Sequence, residues 1–266
     1  MKKKIITTLE QFIEQVLSIN SNTMFEGVFS AKVLVAYNED GTLKVNENNE
    51  IEISGLYPDS LLFRGQNDNY PLIPKLGRTK QNIYFERVEK KLIAEIKRRG
   101  DKIVKRNEFD DWDLLVYVQH FGLATRLLDW STNPLISLWF ACQEESEKKN
   151  AYVYLLKYSD DSLLDINKVK SPFEIERTEI FKPNLNNERI IAQYGWFTVH
   201  SLNNDKKRFI PLDEEPRFKD KIWVIEIPAK NKGEILAKLD ILGINHETIY
   251  PGIEGACKYV NWTNDI

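Results

Sequence analysis

A chain of 266 residues is long enough to bury most of its apolar surface, in one large domain or two small ones, without help from metals or crosslinks. A net charge of -3 with 29% charged residues predicts a well-solvated surface and points to no particular partner. Cys142 and Cys257 stand alone, without Cys or His neighbours at zinc or redox spacing, so no metal is expected and both read as reduced core residues.

Met1-Lys2-Lys3-Lys4 is a basic start, but the apolar run behind it is too short for a signal peptide. It gives way to Thr7-Thr8-Leu9-Glu10, which reads as a helix capping box. No stretch approaches the roughly 20 apolar residues of a membrane span, and with reduced thiols the cytoplasm is the expected location.

Phe12, Val16 and Leu17 give Leu9 to Leu17 the spacing of a short amphipathic helix. Phe29 to Ile53 alternates instead, with Val33, Val35 and Tyr37 before the turn Asn38-Glu39-Asp40-Gly41 and Leu43 and Val45 after it, which predicts a hairpin. Leu61 to Gln66 is a strand, and two prolines keep Tyr70 to Leu76 irregular. A helical pattern from Gln81 to Arg106 carries Ile83, Val88, Leu92, Ile96 and Ile103, with Gly100 as its break.

A second helix runs from Asp110 to His120 and stops at Gly122, and Leu123 to Leu128 reads as a buried strand. Pro134 behind Asn133 or Thr132 as cap starts the apolar helix Leu135 to Cys142. Strands follow at Ala151 to Tyr158, Trp196 to Val199 and Ile222 to Pro228, and helices at Glu234 to Leu242 and Gly255 to Val260. Without repeats or a clear linker, the pattern predicts one α+β domain with a mixed, mainly antiparallel sheet flanked by helices. Residues 1–55 are its helix-and-hairpin extension and 56–266 its core.

No Gly-rich phosphate loop, His-Glu-x-x-His, Gly-x-Ser-x-Gly or EF-hand pattern is present, which removes P-loop hydrolysis, zinc proteolysis, elbow-type esterase chemistry and EF-hand calcium sensing. What remains is a polar cluster. Arg64 either pairs with Asp129 to tie two strands together or contacts a ligand. His120 complements a helix terminus or serves as a general base or ligand contact, and for Arg126 and Asp129 a structural salt bridge with Arg64 or Arg126 stands beside a ligand contact. Ser131 and Thr132 cap a helix at a place that also suits a phosphate. Gln193 and Trp196 flank Gly195 and either pack or hold a base, and Glu188 is a surface charge or a catalytic acid. The basic run Lys90-Lys91, Lys97-Arg98-Arg99, Lys102 and Lys105-Arg106 is diluted by Glu86, Glu89, Glu95 and Asp101, so a solvated helix face is preferred to a nucleic-acid surface.

Four segments together resemble the FRG family. They are Phe63-Arg64-Gly65, Gln119 to Trp130 (Gln-His-Phe-Gly-Leu-Ala-Thr-Arg-Leu-Leu-Asp-Trp), Arg189 to Thr198, and Leu242 to Pro251. Ala124 stands where the family commonly has proline and Tyr250 where it has phenylalanine. The resemblance implies a prokaryotic domain, sometimes found near phage-defence genes.

A weaker resemblance, to the ADP-ribosyltransferase fold, rests on three stretches. Leu62-Phe63-Arg64-Gly65 looks like its first strand, and Asp129-Trp130-Ser131-Thr132-Asn133-Pro134 through Phe140-Ala141 like its second element. Asn187-Glu188-Arg189 before Gly195-Trp196-Phe197 lies where its third strand would be. It implies NAD as cofactor, with Arg64, His120, Ser131 and Glu188 catalytic. Arg64, Gly65, Gln119, Arg126, Asp129, Thr132, Gln193 and Trp196 would bind the cofactor. The guanidinium would take the pyrophosphate, the serine would orient the nicotinamide ribose, and the carboxylate would stabilise an oxocarbenium-like transition state.

The transferases usually show Glu-x-Glu in the third element, where this chain has Asn186-Asn187-Glu188-Arg189, so a non-catalytic nucleotide-binding version accounts for the same residues. The expectation is therefore a protein that binds NAD or a related nucleotide. It would either cleave the nicotinamide bond, passing ADP-ribose to water or to a protein or nucleic-acid acceptor in phage defence or as a toxin, or recognise a nucleotide, nucleic acid or protein partner without catalysis. No membrane is expected to take part.

Overall fold

The computed structural model of the chain describes residues 2–23, 31–36, 38, 40–48, 50–51, 53–58, 61–78, 84–99, 110–144, 148–185, 187–203 and 208–264. Seven strands form the central sheet, in the order β1 (Lys2–Ile5), β11 (Ile222–Ile227), β6 (Ala151–Lys157), β4 (Leu61–Gln66), β5 (Leu127–Ser131), β8 (Gly195–Val199) and β7 (Glu179–Phe181). The β1–β11 pairing is parallel and the others are antiparallel, as expected for a mixed, mainly antiparallel α+β sheet. Two small sheets pair β2 (Ala31–Val35) with β3 (Ile53–Pro58) and β9 (Leu202–Asn203) with β10 (Arg208–Phe209).

Alternation along the strands divides the core between the two sheet faces. Ile225 and Ile227 of β11, Val153 and Leu155 of β6 and Phe63 of β4 pack beneath α1 (Leu9–Thr23), α4 (Pro134–Cys142) and α6 (Lys232–Ile241). Their neighbours Ile222, Val224, Tyr154, Leu156 and Leu62 face the other way, against Leu72, Leu212 and Phe218 from the irregular segments. Further along the sheet, Leu127, Phe197, Val199 and Phe181 are covered by Trp112, Leu114 and Leu115 of α3 (Asp111–His120), with Ile93 of α2 (Phe85–Arg99) behind them. Helices α3 and α4 thus stand over neighbouring parts of the sheet, with β4 and β5 between them.

Local chemistry sets the helix ends. Asp110 caps α3 by accepting from Asp113 N at 2.7 Å, and Asn133 caps α4 by accepting from Leu135 N at 2.9 Å, with Pro134 at the first helical position. At α1 the capping residue is Thr8, whose hydroxyl accepts from Gln11 N at 3.3 Å, while the Gln11 side chain reaches back to Thr7 N at 2.8 Å. The cap is one residue on from the expected Thr7 and Glu10, because Gln11 supplies the amide that satisfies the free N–H.

Several expectations are corrected. The strand read at Leu123 to Leu128 begins only at Leu127 and runs to Ser131, because the main chain before it bonds elsewhere. Leu76 N donates to Thr125 O at 3.4 Å, and Arg126 N donates to Glu89 Oε1 at 2.8 Å. The hairpin turn at Asn38 to Thr42 forms, but β2 pairs with β3 rather than with the Leu43 and Val45 stretch. Phe29 and Tyr37 lie outside the described residues, as do Gln81, Ile83 and Gly100 to Arg106 of the helix observed as α2. Cys142 is buried, its thiol pushed up to about 12 by loss of solvent, whereas Cys257 is exposed on α8 (Ile253–Thr263) and is not a core residue. Not anticipated were β1, β7, α5 (Glu188–Gln193) and α7 (His246–Ile249). Through β1 and α1, whose Phe12 and Val16 enter the core, the N-terminal residues are built into the central sheet and its helical layer.

Gly65 lets α4 lie against β4. A Cβ there would collide with the Ser137 carbonyl oxygen and stand 2.6 Å from Ala141 N, both main-chain atoms that cannot rotate away. Gly65→Ala should destabilise the protein by about 1–3 kcal/mol or more, read as a lowered midpoint in chemical denaturation. The Arg126–Glu89 pair, Nε to Oε2 at 2.7 Å, is almost wholly removed from solvent, with side chains 3% and 1% exposed. Arg126 also donates to Pro172 O at 2.9 Å, and burial pushes the Glu89 carboxyl upward against the pull of the guanidinium. Glu89→Ala, which strands a buried cation, should cost about 3–5 kcal/mol by the same measurement.

Candidate functional site

Beyond Phe63 the strands β4 and β5 part, for Phe63↔Ser131 is the one pair they form, while β4 stays in register with β6 over its full length. At that divergence lies an open pocket of about 460 Å³, lined from the sheet by Phe63, Arg64, Gly65, Asp129, Trp130 and Ser131. Gln119 and His120 close it from the end of α3, Ser137 and Phe140 from α4, and Arg189 and Gln193 from α5. Tyr250, Glu254 and Lys258, from the turn after α7 and from α8, complete it.

Arg64 spans the divergence. Its Nη1 donates to the main-chain oxygen of Asp129 at 2.8 Å and lies 3.6 Å from that residue's carboxylate, so both expected partners meet. The Arg64 side chain is 15% exposed and Asp129's is 55% exposed, which leaves the carboxylate facing the pocket. Gln119 holds the carboxylate from the other side, Nε2 to Oδ1 at 2.8 Å, and its own oxygen accepts from the Thr125 hydroxyl. Burial lowers the Arg64 pKa, opposed by Asp129, and lowers that of His120, where Asp129 pulls upward and Arg189 downward. Arg64 Nε and His120 Nε2 are both buried without a hydrogen-bond partner among the described residues. An unpaired buried polar atom costs about 1–3 kcal/mol, a cost that packing alone gives no reason to carry.

Other expected site residues serve as framework. The Ser131 hydroxyl donates to Gln193 O at 2.7 Å and accepts from Asn133 N at 3.0 Å, tying β5 to α5 and to the α4 cap. Gln193 Nε2 in turn donates to Ile249 O at 3.1 Å, linking α5 to α7. Gly65 lines the pocket, but the neighbour that demands a glycine there is the α4 main chain.

Four residues stand elsewhere. Arg126 is turned away into its pair with Glu89. Thr132 is exposed and contributes its N–H to Tyr194 O at 3.1 Å. Trp196 packs on Tyr158 at 5.5 Å between ring centroids, beneath Lys182. Glu188 is exposed at the first residue of α5, a helix capped by Asn187 where a strand was expected, and Asn186 lies outside the described residues. Successive helical residues point about 100° apart, so the turn that sends Glu188 to solvent brings Arg189 to the pocket.

Arg189, Phe140, Tyr250, Glu254 and Lys258 were not singled out as site residues. Arg189 and Tyr250 lay inside the quoted motifs, and the Glu254–Lys258 pair has the i, i+4 spacing of one helix face.

A family model, FRG domain, matches residues 59–150. The chain carries an FRG domain. No curated protein and no solved structure matches the chain. The FRG match holds the Phe63-Arg64-Gly65 and Gln119 to Trp130 segments, and Arg189, Gln193 and Tyr250, from beyond it, line the same pocket. Among the described residues no helix is long and apolar enough to cross a membrane.

Burial pushes His200 down to about 3, so its imidazole stays neutral through a mid-pH titration followed by NMR. His120 should titrate below the ordinary value of 6.5. Asp129→Asn removes a favourable charge and should lower it further, whereas Arg189→Gln removes a repulsive one and should raise it.

Proposed function

We propose that the FRG-domain pocket binds a phosphorylated nucleotide of the NAD kind, with Arg64 as its anchor. The carrying observation is the Arg64 side chain, 15% exposed in the lining of an open pocket, with its Nε unpartnered among the described residues. A guanidinium is a planar donor array suited to two phosphate oxygens at once, and low solvent exposure strengthens such bonds. Phe140 and Tyr250 meet edge to face with centroids 6.3 Å apart, adding aromatic surface for a base, and the pocket's size lies in the range of small-molecule sites. His120 adds an imidazole to the lining.

Recognition without cleavage is the leading form of this reading, because Glu188, the carboxylate that the transferase resemblance assigns to catalysis, is exposed outside the pocket. Cleavage of the nicotinamide bond is the second form, favoured by Asp129, whose carboxylate faces the pocket and is oriented by Gln119. An anion so held can stabilise the positive charge that develops on the ribose as nicotinamide leaves. In that form the protein would act as a toxin or in phage defence, the second being the setting that the FRG resemblance implies.

Calorimetric titration with NAD should show binding by the wild type that weakens at least tenfold in Arg64→Ala, a loss of about 1.4 kcal/mol or more. Absence of wild-type binding overturns the reading. Nicotinamide release in the same samples separates the two forms: the sensor releases none, and the enzyme loses release on Asp129→Asn while retaining binding.

A further inference from the structure

Glu254 is bracketed by two cations. Its Oε1 accepts from Lys258 Nζ at 2.7 Å, and its Oε2 accepts from Arg189 Nη2. Each cation is independently placed. Arg189 Nη1 donates to His120 O at 3.1 Å, and its guanidinium lies 5.4 Å from the centre of the Tyr250 ring, over which Lys258 Nζ sits at 4.0 Å. Gly255 fixes this group, since a Cβ there would collide with the Tyr250 oxygen and stand 2.8 Å from the His246 oxygen, so the start of α8 rests directly on the α7 turn. Arg189, Tyr250, Glu254 and Lys258 all line the pocket.

Two cations joined by the two oxygens of one carboxylate offer what a phosphate group would accept, and the cluster still carries one net positive charge. The Arg126–Glu89 pair and the Glu254 cluster behave differently in that respect. Arg126 and Glu89 are sealed from water, and neither can let go without stranding a charge. Glu254 and Lys258 have side chains 46% and 44% exposed, so a displaced carboxylate returns to solvent at little cost. A phosphate brings more charge and more acceptor oxygens than the carboxylate it replaces.

We propose that Arg189 and Lys258 form an anion subsite for a phosphate or pyrophosphate group, and that Glu254 is its built-in competitor, displaced when the ligand's phosphate binds. The inference rests on the pocket being a nucleotide site and specifies where a second anionic group of that ligand sits, on the helical wall while Arg64 serves the sheet wall. Glu254 then sets a threshold: monoanions such as chloride fail to displace it, and polyphosphorylated ligands succeed.

Inorganic pyrophosphate is the probe. Calorimetry on the wild type, Glu254→Gln, Glu254→Ala and Glu254→Gln/Lys258→Gln should show both single variants binding at least fivefold tighter than the wild type, with the gain lost in the double variant. Thermal unfolding of each variant checks that it is folded, and agreement of the amide and alanine variants shows that the lost charge is the cause. No gain in either single variant, or a gain that survives loss of Lys258, overturns the proposal. The NAD titration reads the pocket separately. Arg64-dependent NAD binding with pyrophosphate affinity unmoved by Glu254→Gln removes the competitor and keeps the nucleotide reading. A Lys258-dependent pyrophosphate gain without NAD binding removes the nucleotide reading and keeps the subsite.

Discussion

The contact on which the pocket depends is that of a strand with a helix at a residue without a side chain. Gly65 brings the backbone of α4 against β4, and from there one packing relation follows another. Ser137 and Phe140 of α4 become pocket wall, and Trp139 between them packs edge-on against His246 at 4.9 Å and Tyr250 at 5.9 Å between ring centroids. Tyr250 in turn carries Arg189 and Lys258 over its ring. A side chain at position 65 would therefore act on the helical wall through main-chain displacement rather than by filling the pocket.

The neighbouring residue has the opposite character. Arg64 is a charge in a strand that is otherwise largely apolar, placed where β4 and β5 have stopped pairing. Its bond to the Asp129 carbonyl holds the strands across the divergence and keeps the guanidinium half committed, with Nε unsatisfied. A purely structural arginine would be expected to have its Nε paired, as Arg126 does with Glu89 while its Nη1 donates to Pro172 O. The contrast between two low-exposure arginines of one chain, one with Nε paired and one without a partner among the described residues, is the physical ground on which we propose ligand binding at Arg64.

Charge in the pocket is balanced yet unevenly held. Arg64 faces Asp129 from the sheet, while Arg189 and Lys258 share Glu254 on the helical side. His120 lies between these groups, its proton affinity raised by Asp129 and lowered by Arg189. A ligand with two anionic positions would engage both cationic walls, and its arrival would be felt by the imidazole that responds to both.

Much of this was legible in the sequence. Short apolar runs located β4, β6, β8 and β11, the helical spacing from Asp110 to His120 located α3, and Pro134 behind Asn133 or Thr132 located α4, because these are local patterns that each segment carries by itself. The motif segments also carried most of the pocket: Arg64, Gly65, Gln119, His120, Asp129, Ser131 and Gln193 all line it. What distance along the chain concealed was decided by tertiary structure. Arg126 and Asp129 looked alike as charges near one strand, yet Arg126 precedes the first strand residue and finds Glu89, 37 residues away, while Asp129 is left facing the pocket. Glu188 and Arg189 are adjacent, and only the helical turn of α5 sends one to solvent and the other to the site. Sequence determines which residues are apolar, which can cap and which carry charge. The face a charge occupies and the partner it meets are set by packing between segments far apart in the chain, and here that packing built the pocket and chose its cations.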